Sequence, residues 1–311
     1  MSEEPTIRHH PHNAGFALIL VLVLVMIAGS LLSAYAHHSA VTALETRDAA
    51  EALQRRWATI SMRATLLERV HPVLLRAEDR GLDGRRLADT DAQPVAIRTT
   101  RVTLADQPYT LTLSDEQAKV DVSAVVREQG TPAAERWVRR LLRQTSGSRA
   151  NDLTIHLQPI ALIDDAQATT ILTFGQVFDR ARPEQFLARG TGGQPAPVDA
   201  ITCWSSGKLN YQRASDDALR LMCEPVLGIA RSRRLIEARD EDPFQDMEVL
   251  LRRAGATDPK SSKEVRAVLT ERSRCHGLWI TAHGTQRDWY SAIIGIGDPD
   301  LGTLQTRTLE W

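Results

Sequence analysis

Residues Gly15 to Ala36 read GFALILVLVLVMIAGSLLSAYA, an apolar run without a single charge. Roughly twenty such residues are what an α-helix needs to cross the hydrocarbon core of a bilayer. Leu, Ile and Val are so dense that no polar face can be drawn on the run. Such a segment sits in lipid or is cut away, and which of the two happens decides most of what the chain can be.

Three readings of this N-terminus stand side by side. A cleavable secretory signal requires a basic leader, an apolar core of about 7–15 residues and a small-x-small site. Ala34-Tyr35-Ala36 supplies the site, but Arg8 is opposed by Glu3 and Glu4 and the apolar core is long. An uncleaved signal anchor fits the length. In a prepilin-type leader a dedicated peptidase cuts after a glycine on the cytoplasmic side and keeps the helix; Gly15-Phe16, abutting the run, supplies that junction. Charge leaves the orientation open, because Arg8 faces Arg47, His37 and His38 across the segment.

Beyond the helix about 275 residues remain, enough for one large domain or two small ones with a real core. The 38 Lys and Arg and 39 Asp and Glu are interspersed, with no basic block of nucleic-acid type. Cys203, Cys223 and Cys275 have spacings that suit no zinc site. In an exported compartment Cys203 and Cys223 are the expected pair; the alternative is three buried thiols.

Organisation follows from the changing hydrophobic period. Residues 37–80 hold no proline before Pro72, and Leu44, Leu53, Trp57, Ile60 and Leu67 recur at helical intervals, so an amphipathic stalk helix is expected, ending at Gly81 and Gly84. From Ile97 the period becomes two: strands are expected at 97–104, 109–113, 277–282 and 289–294, with turns at 105–108 and 284–286 and a last strand within 303–309. The middle reads mostly helical. The chain is thus expected to be α+β: leader 1–15, membrane helix 16–36, stalk 37–80, an antiparallel sheet from 96–114 and 270–311, and a helical insertion at 115–269. The Gly190-Thr191-Gly192-Gly193 loop should divide that insertion into two lobes.

Two stretches of the insertion share a pattern. Ser114 to Ser123 and Ser206 to Ser215 each place a polar turn before Lys, an apolar residue and a polar residue, with a helix after. A turn, a very short extended piece and an N-cap are implied, with Ser215 accepting from the first N–H groups of the helix at Asp216. Residues 205–245 then outline a helix-hairpin-helix with Gly228 at the hairpin. Where DNA-binding hairpins carry Gly-x-Gly, only Gly228 is present, and Arg231, Arg233, Arg234 and Arg239 read as a solvated face.

Together these features resemble the K-type minor pseudopilins of bacterial type II secretion: the Gly15-Phe16 junction with its helix, the Asp115-Glu116…Lys119-Val120-Asp121-Val122 segment, Gly207-Lys208-Leu209-Asn210…Ala214-Ser215, and Asp242-Pro243-Phe244. The family's Asn-Thr pair is replaced by Ser123-Ala124 and by Gln212-Arg213, and the nearest approach to its tryptophan-acid motif is Leu162-Ile163-Asp164-Asp165. The fifth residue after Gly15 is Leu20, where most pilin-like proteins carry glutamate; this too is similar to the K type. The resemblance implies cleavage between Gly15 and Phe16, N-methylation of Phe16, a single-pass inner-membrane protein with a periplasmic head, and a place at the pseudopilus tip where assembly begins. It implies as partners the other minor pseudopilins, the major pseudopilin and the prepilin peptidase. The competing reading is a membrane-anchored helix-hairpin-helix protein that binds DNA outside the cytoplasm.

Catalysis is not expected. The histidines lack metal-ligand spacing, and no nucleophile elbow, Walker loop or dinucleotide fingerprint occurs. No cofactor is expected either; Asp164-Asp165 and Asp240-Glu241-Asp242 could hold calcium or form a helix cap and a solvated turn.

Overall fold

The structure, a computed structural model, describes residues 14–80, 94–146, 152–161, 169–187, 195–284, 287–297 and 305–311. The leader before Ala14, Gly81 and Gly84, Asp164-Asp165, the 190–193 loop, and Thr285 and Gln286 lie outside these residues. The chain divides into two units, Met1–Ala58 and Thr59–Trp311.

The described residues of the first unit are helical. Helix α1 (Ala14–Leu66) starts one residue before Gly15 and continues through the whole apolar run. It holds the one span among the described residues long and apolar enough to cross a membrane, with a mean hydropathy of 2.8 and no part of that window buried. Within the apolar run Ser30 Oγ turns back on the helix and donates to Ile27 O at 2.9 Å. In a medium without water that internal satisfaction is what a helix requires.

The second unit takes in the end of α1, from Thr59, and the break that follows it. Leu67–Arg69 form a 3₁₀ turn and α2 (Val70–Arg80) follows. The expected continuous stalk over 37–80 is therefore two helices. Pro72 supplies the reason: it has no N–H for the Glu68 carbonyl, and its ring clashes with that carbonyl. The apolar stripe is also displaced from its expected place. Leu44, Leu53, Trp57 and Ile60 are exposed, while Met62, Leu67, Val70 and Leu74 are buried.

Leu67, Val70 and Leu74 belong to the elements that pack on one face of a five-stranded antiparallel sheet. Strands β1 (Ile97–Leu104) and β2 (Gln107–Asp115) form a hairpin. Its two-residue turn holds Ala105 at φ 48° and Asp106 at φ 64°, the paired positive angles that match strand twist. Pro108 lies inside β2, so the expected four-residue turn is shorter. Strands β9 (Cys275–His283), β10 (Asp288–Ile296) and β11 (Gln305–Glu310) complete the order β1-β2-β9-β10-β11. β9 alternates between two covered faces. Leu278 and Ile280, in register with Leu113 and Leu111, share the face of α2, while Cys275 and Trp279 join the core on the other side.

That other side is the insertion. In chain order it holds β3 (Val120–Asp121), α3 (Val122–Gln129), α4 (Thr131–Ser146), β4 (Ile160–Ala161), β5 (Thr169–Thr170), α5 (Pro183–Leu187), β6 (Ile201–Thr202), β7 (Leu209–Asn210), α6 (Asp216–Leu227), α7 (Ile229–Glu241), α8 (Met247–Ala254), α9 (Pro259–Val268) and β8 (Leu269–Thr270). β3 pairs in parallel with β6 and β7 with β8. One hydrophobic cluster runs from Val120 to Ile294, through residues before and after the expected dividing loop, and α4 packs on α6. The described residues of the insertion thus share one core and are not divided into two lobes. The three cysteines are free and buried in it, which corrects the expected Cys203–Cys223 bridge. Burial pushes all three thiols up, Cys223 to about 12, which favours the protonated form.

Candidate functional site

The two stretches that share a sequence pattern meet at the seam between sheet and insertion. Asp115 ends β2, caps the following 3₁₀ turn by accepting from Gln117 N at 2.9 Å, and is wholly buried. Its second oxygen accepts from Asn210 Nδ2 and Arg213 NH1, both at 3.1 Å, and from Ser273 Oγ at 2.5 Å. Asn210 and Arg213 come from the second stretch, so an ion pair and a hydrogen bond from a side-chain amide join segments ninety-odd residues apart. Buried charge is tolerable only when paired and hydrogen-bonded, and Asp115 has every partner it needs.

Glu116 is equally buried. Its Oε1 accepts from Ser114 Oγ at 2.6 Å, Lys119 Nζ at 2.7 Å and Trp279 Nε1 at 3.0 Å, while Oε2 has no hydrogen-bond partner among the described residues. Lys119 Nζ also lies 4.9 Å from the centre of the Trp279 ring. This arrangement needs the bare backbone of Gly277 on β9. A Cβ there would stand 2.5 Å from Glu116 Oε1, 2.8 Å from Ser114 Oγ and 2.9 Å from Trp279 Nε1.

Gln117 ties three segments together. Its amide donates to Ser206 Oγ at 2.6 Å and Lys208 O at 3.3 Å, and accepts from the backbone N–H of Arg274. Asp121 ends the short strand and caps α3, accepting from Ala124 N at 3.2 Å and Ser205 Oγ at 2.9 Å. Burial raises its carboxyl above the ordinary range, against the lowering effect of those bonds. His276, opposite Asp115, is held down to about 4, first by burial. Each polar pattern read from the sequence is thus an extended piece followed by a cap, but the side chains point inward and brace the fold.

Ser215 Oγ accepts from Ala218 N at the start of α6, and Gly228 alone links α6 to α7 at φ 74°, ψ 166°, a region nearly restricted to glycine. The basic residues after it do not make a phosphate cradle. Arg231 pairs with Asp258 at 3.5 Å and Arg233 with Glu237 at 2.9 Å. Arg239, expected on a solvated face, is buried: it donates to Ala214 O at 2.8 Å and pairs with Asp216 and Asp240. Its guanidinium holds the loop before α6 onto α7, a tertiary role that helical position does not reveal.

Among the described residues no group of three or more His, Cys, Asp or Glu is placed to hold a metal ion, the 240–242 cluster included. Asp240 and Glu241 are occupied by Arg239 and Arg253. A polar chain that sequence did not suggest crosses three strands: Thr110 Oγ1 and His283 Nε2 are 2.7 Å apart, and His283 Nδ1 and Asp288 Oδ1 3.1 Å. His283 and Asp288 flank one hairpin, but Thr110 lies 173 residues from His283, too far for spacing to reveal the chain. Gly15 and Phe16 lie in the first turn of α1, with Phe16 exposed.

No family model matches the chain, and no curated protein matches it. Among solved structures it is similar to a chain of the GspK-GspI-GspJ complex of the type 2 secretion system from enterotoxigenic Escherichia coli, with 14% identity over 86% of this chain and 98% of that one and a TM-score of 0.43.

Proposed function

We propose that this protein is a structural minor pseudopilin of a type II secretion apparatus, anchored in the inner membrane by α1 with its head in the periplasm. One observation carries the reading: an uncharged helix, continuous from Ala14 through the span, begins at a Gly15-Phe16 junction. Cleavage there removes the polar leader and leaves the helix free to leave the bilayer end-first into a filament. Phe16 becomes the N-methylated terminus, and Leu20 supplies no carboxylate to meet a neighbouring subunit's amine. Support from the second unit is architectural. The sheet is interrupted between β2 and β9 by a bulky insertion that shares its core, a shape suited to capping a filament and to initiating its assembly with other minor pseudopilins and the major pseudopilin. The braced interior supports a structural role over a catalytic one.

Mass spectrometry of the N-terminal peptide tests this. A chain beginning at methylated Phe16, retained in the membrane fraction, is expected, and Gly15→Leu should block processing. A chain beginning at His37 would sink the assignment; an intact Met1 or Ser2 end would leave a plain anchor.

A further inference from the structure

A groove of about 670 Å³ opens directly over the buried seam, floored by Gln117, Leu269 and Thr270. Four cations line it: Lys208 from the second patterned stretch, Arg266 from α9, and Arg272 and Arg274 from the segment leading into β9. Several other cations of the head sit against carboxylates, as in Arg213–Asp115, Arg220–Asp217, Arg231–Asp258 and Arg239–Asp216. Here Lys208, Arg272 and Arg274 have no carboxylate partner among the described residues. Arg266 has one, Glu248, at 3.4 Å. Glu271 is the lining carboxylate, and it accepts from Met247 N at 2.5 Å, the open N-terminus of α8. In a chain with a formal charge of −1 this is a local excess of positive charge.

The excess is also held in place. Gln117, only 3% exposed, bonds the backbone of both Lys208 and Arg274, so the walls that carry those cations are fixed to each other from beneath. A preorganised groove loses less on binding than a surface of free side chains.

We infer that this groove is a docking site for an acidic polypeptide segment. The volume lies in the range of ligand-binding clefts, and four cations line it against the one carboxylate of Glu271. Met247 and Leu269, both buried, are the apolar residues of its lining. No aromatic side chain lines it, so it lacks the stacking platform that single-stranded nucleic acid uses, and Glu271 would repel a dense run of phosphates. The inference concerns the head alone and stands whether or not the N-terminus is processed at Gly15.

Fluorescence anisotropy tests it, using the full-length protein in neutral detergent and a labelled peptide of alternating Glu and Leu. Saturable binding that weakens between low and physiological salt is expected. The triple variant Lys208→Glu, Arg272→Glu, Arg274→Glu should bind at least about tenfold more weakly, from modest losses at three exposed pairs. These side chains are exposed, so the thermal melt should be unchanged; Arg272→Ala with Arg274→Ala, a gentler change, should bind with intermediate affinity. Equal binding by wild type and triple variant would overturn the proposal, as would no binding at all. Complete displacement by equimolar inorganic phosphate, or tighter binding of an oligonucleotide than of the peptide, would overturn the polypeptide assignment.

Discussion

Replacing Gly277 by alanine adds one methyl group to a β9 position whose backbone tolerates any residue. The damage should therefore come entirely from what that methyl meets. At 2.5 Å from Glu116 Oε1 and 2.8 Å from Ser114 Oγ it cannot coexist with them, and neither is the free end of a flexible surface chain. Glu116 is wholly buried and Lys119 nearly so, and the threatened oxygen is the one that accepts from Ser114, Lys119 and Trp279. Overpacking alone costs about 1–3 kcal/mol. Displacing Oε1 adds the disruption of a buried ion pair, whose outright loss costs about 3–5 kcal/mol. A destabilisation of about 3–5 kcal/mol is expected, since the shift weakens the pair without removing it. Urea unfolding of a fragment beginning at His38, followed by circular dichroism and by tryptophan fluorescence, measures it. The mechanism predicts coupling: in a Glu116→Ala, Lys119→Met background, where the crowded oxygen is gone, Gly277→Ala should cost at least about 1 kcal/mol less. A single-mutant cost below about 1 kcal/mol, or strictly additive effects, would refute the argument that Gly277 exists to admit Glu116.

The seam predicts opposite results for its two aspartates. Asp115→Ala strands Arg213 in the interior and should cost about 3–5 kcal/mol, whereas Asp121→Asn keeps the cap on α3, removes a carboxylate raised by burial, and should change stability by less than about 1 kcal/mol in the same urea titration. His276 has its folded pKa depressed from 6.5 to about 4, so between those values the unfolded chain binds the extra proton. Stability should fall as pH drops from 6.5 towards 4, by up to about 3 kcal/mol from this residue, and His276→Gln should flatten that part of the profile. Gly228→Val should destabilise by about 1–3 kcal/mol through backbone strain alone, because no atom lies within 4 Å of the added Cβ; Gly228→Ala should cost nearly as much, and a neutral result for either would show that the hairpin relaxes.

What sequence could determine here was what depends on near neighbours. The span from Phe16 to Ala36 is legible because twenty uncharged apolar residues leave a helix no polar face, whatever the rest does. The long strands are legible because β9 and β10 carry dense apolar and aromatic residues between turn signals, and Ser215 because a cap acts within three residues. The break at Leu67 was within reach of Pro72, whose effect lies four residues upstream. Burial and partnership were not. Arg239 sits on a helix that reads as basic, yet Ala214 and Asp216 draw it inward from twenty-odd residues away. The two-residue strands β3 and β7 are shorter than any period and exist because β6 and β8 pair with them. The two patterned stretches were visible singly, but nothing local says that Asp115 will meet Arg213 or that Gly277 must lack a side chain for Glu116. Those choices are made by packing the insertion onto the sheet, where each buried charge has to find its counterpart wherever along the chain it lies.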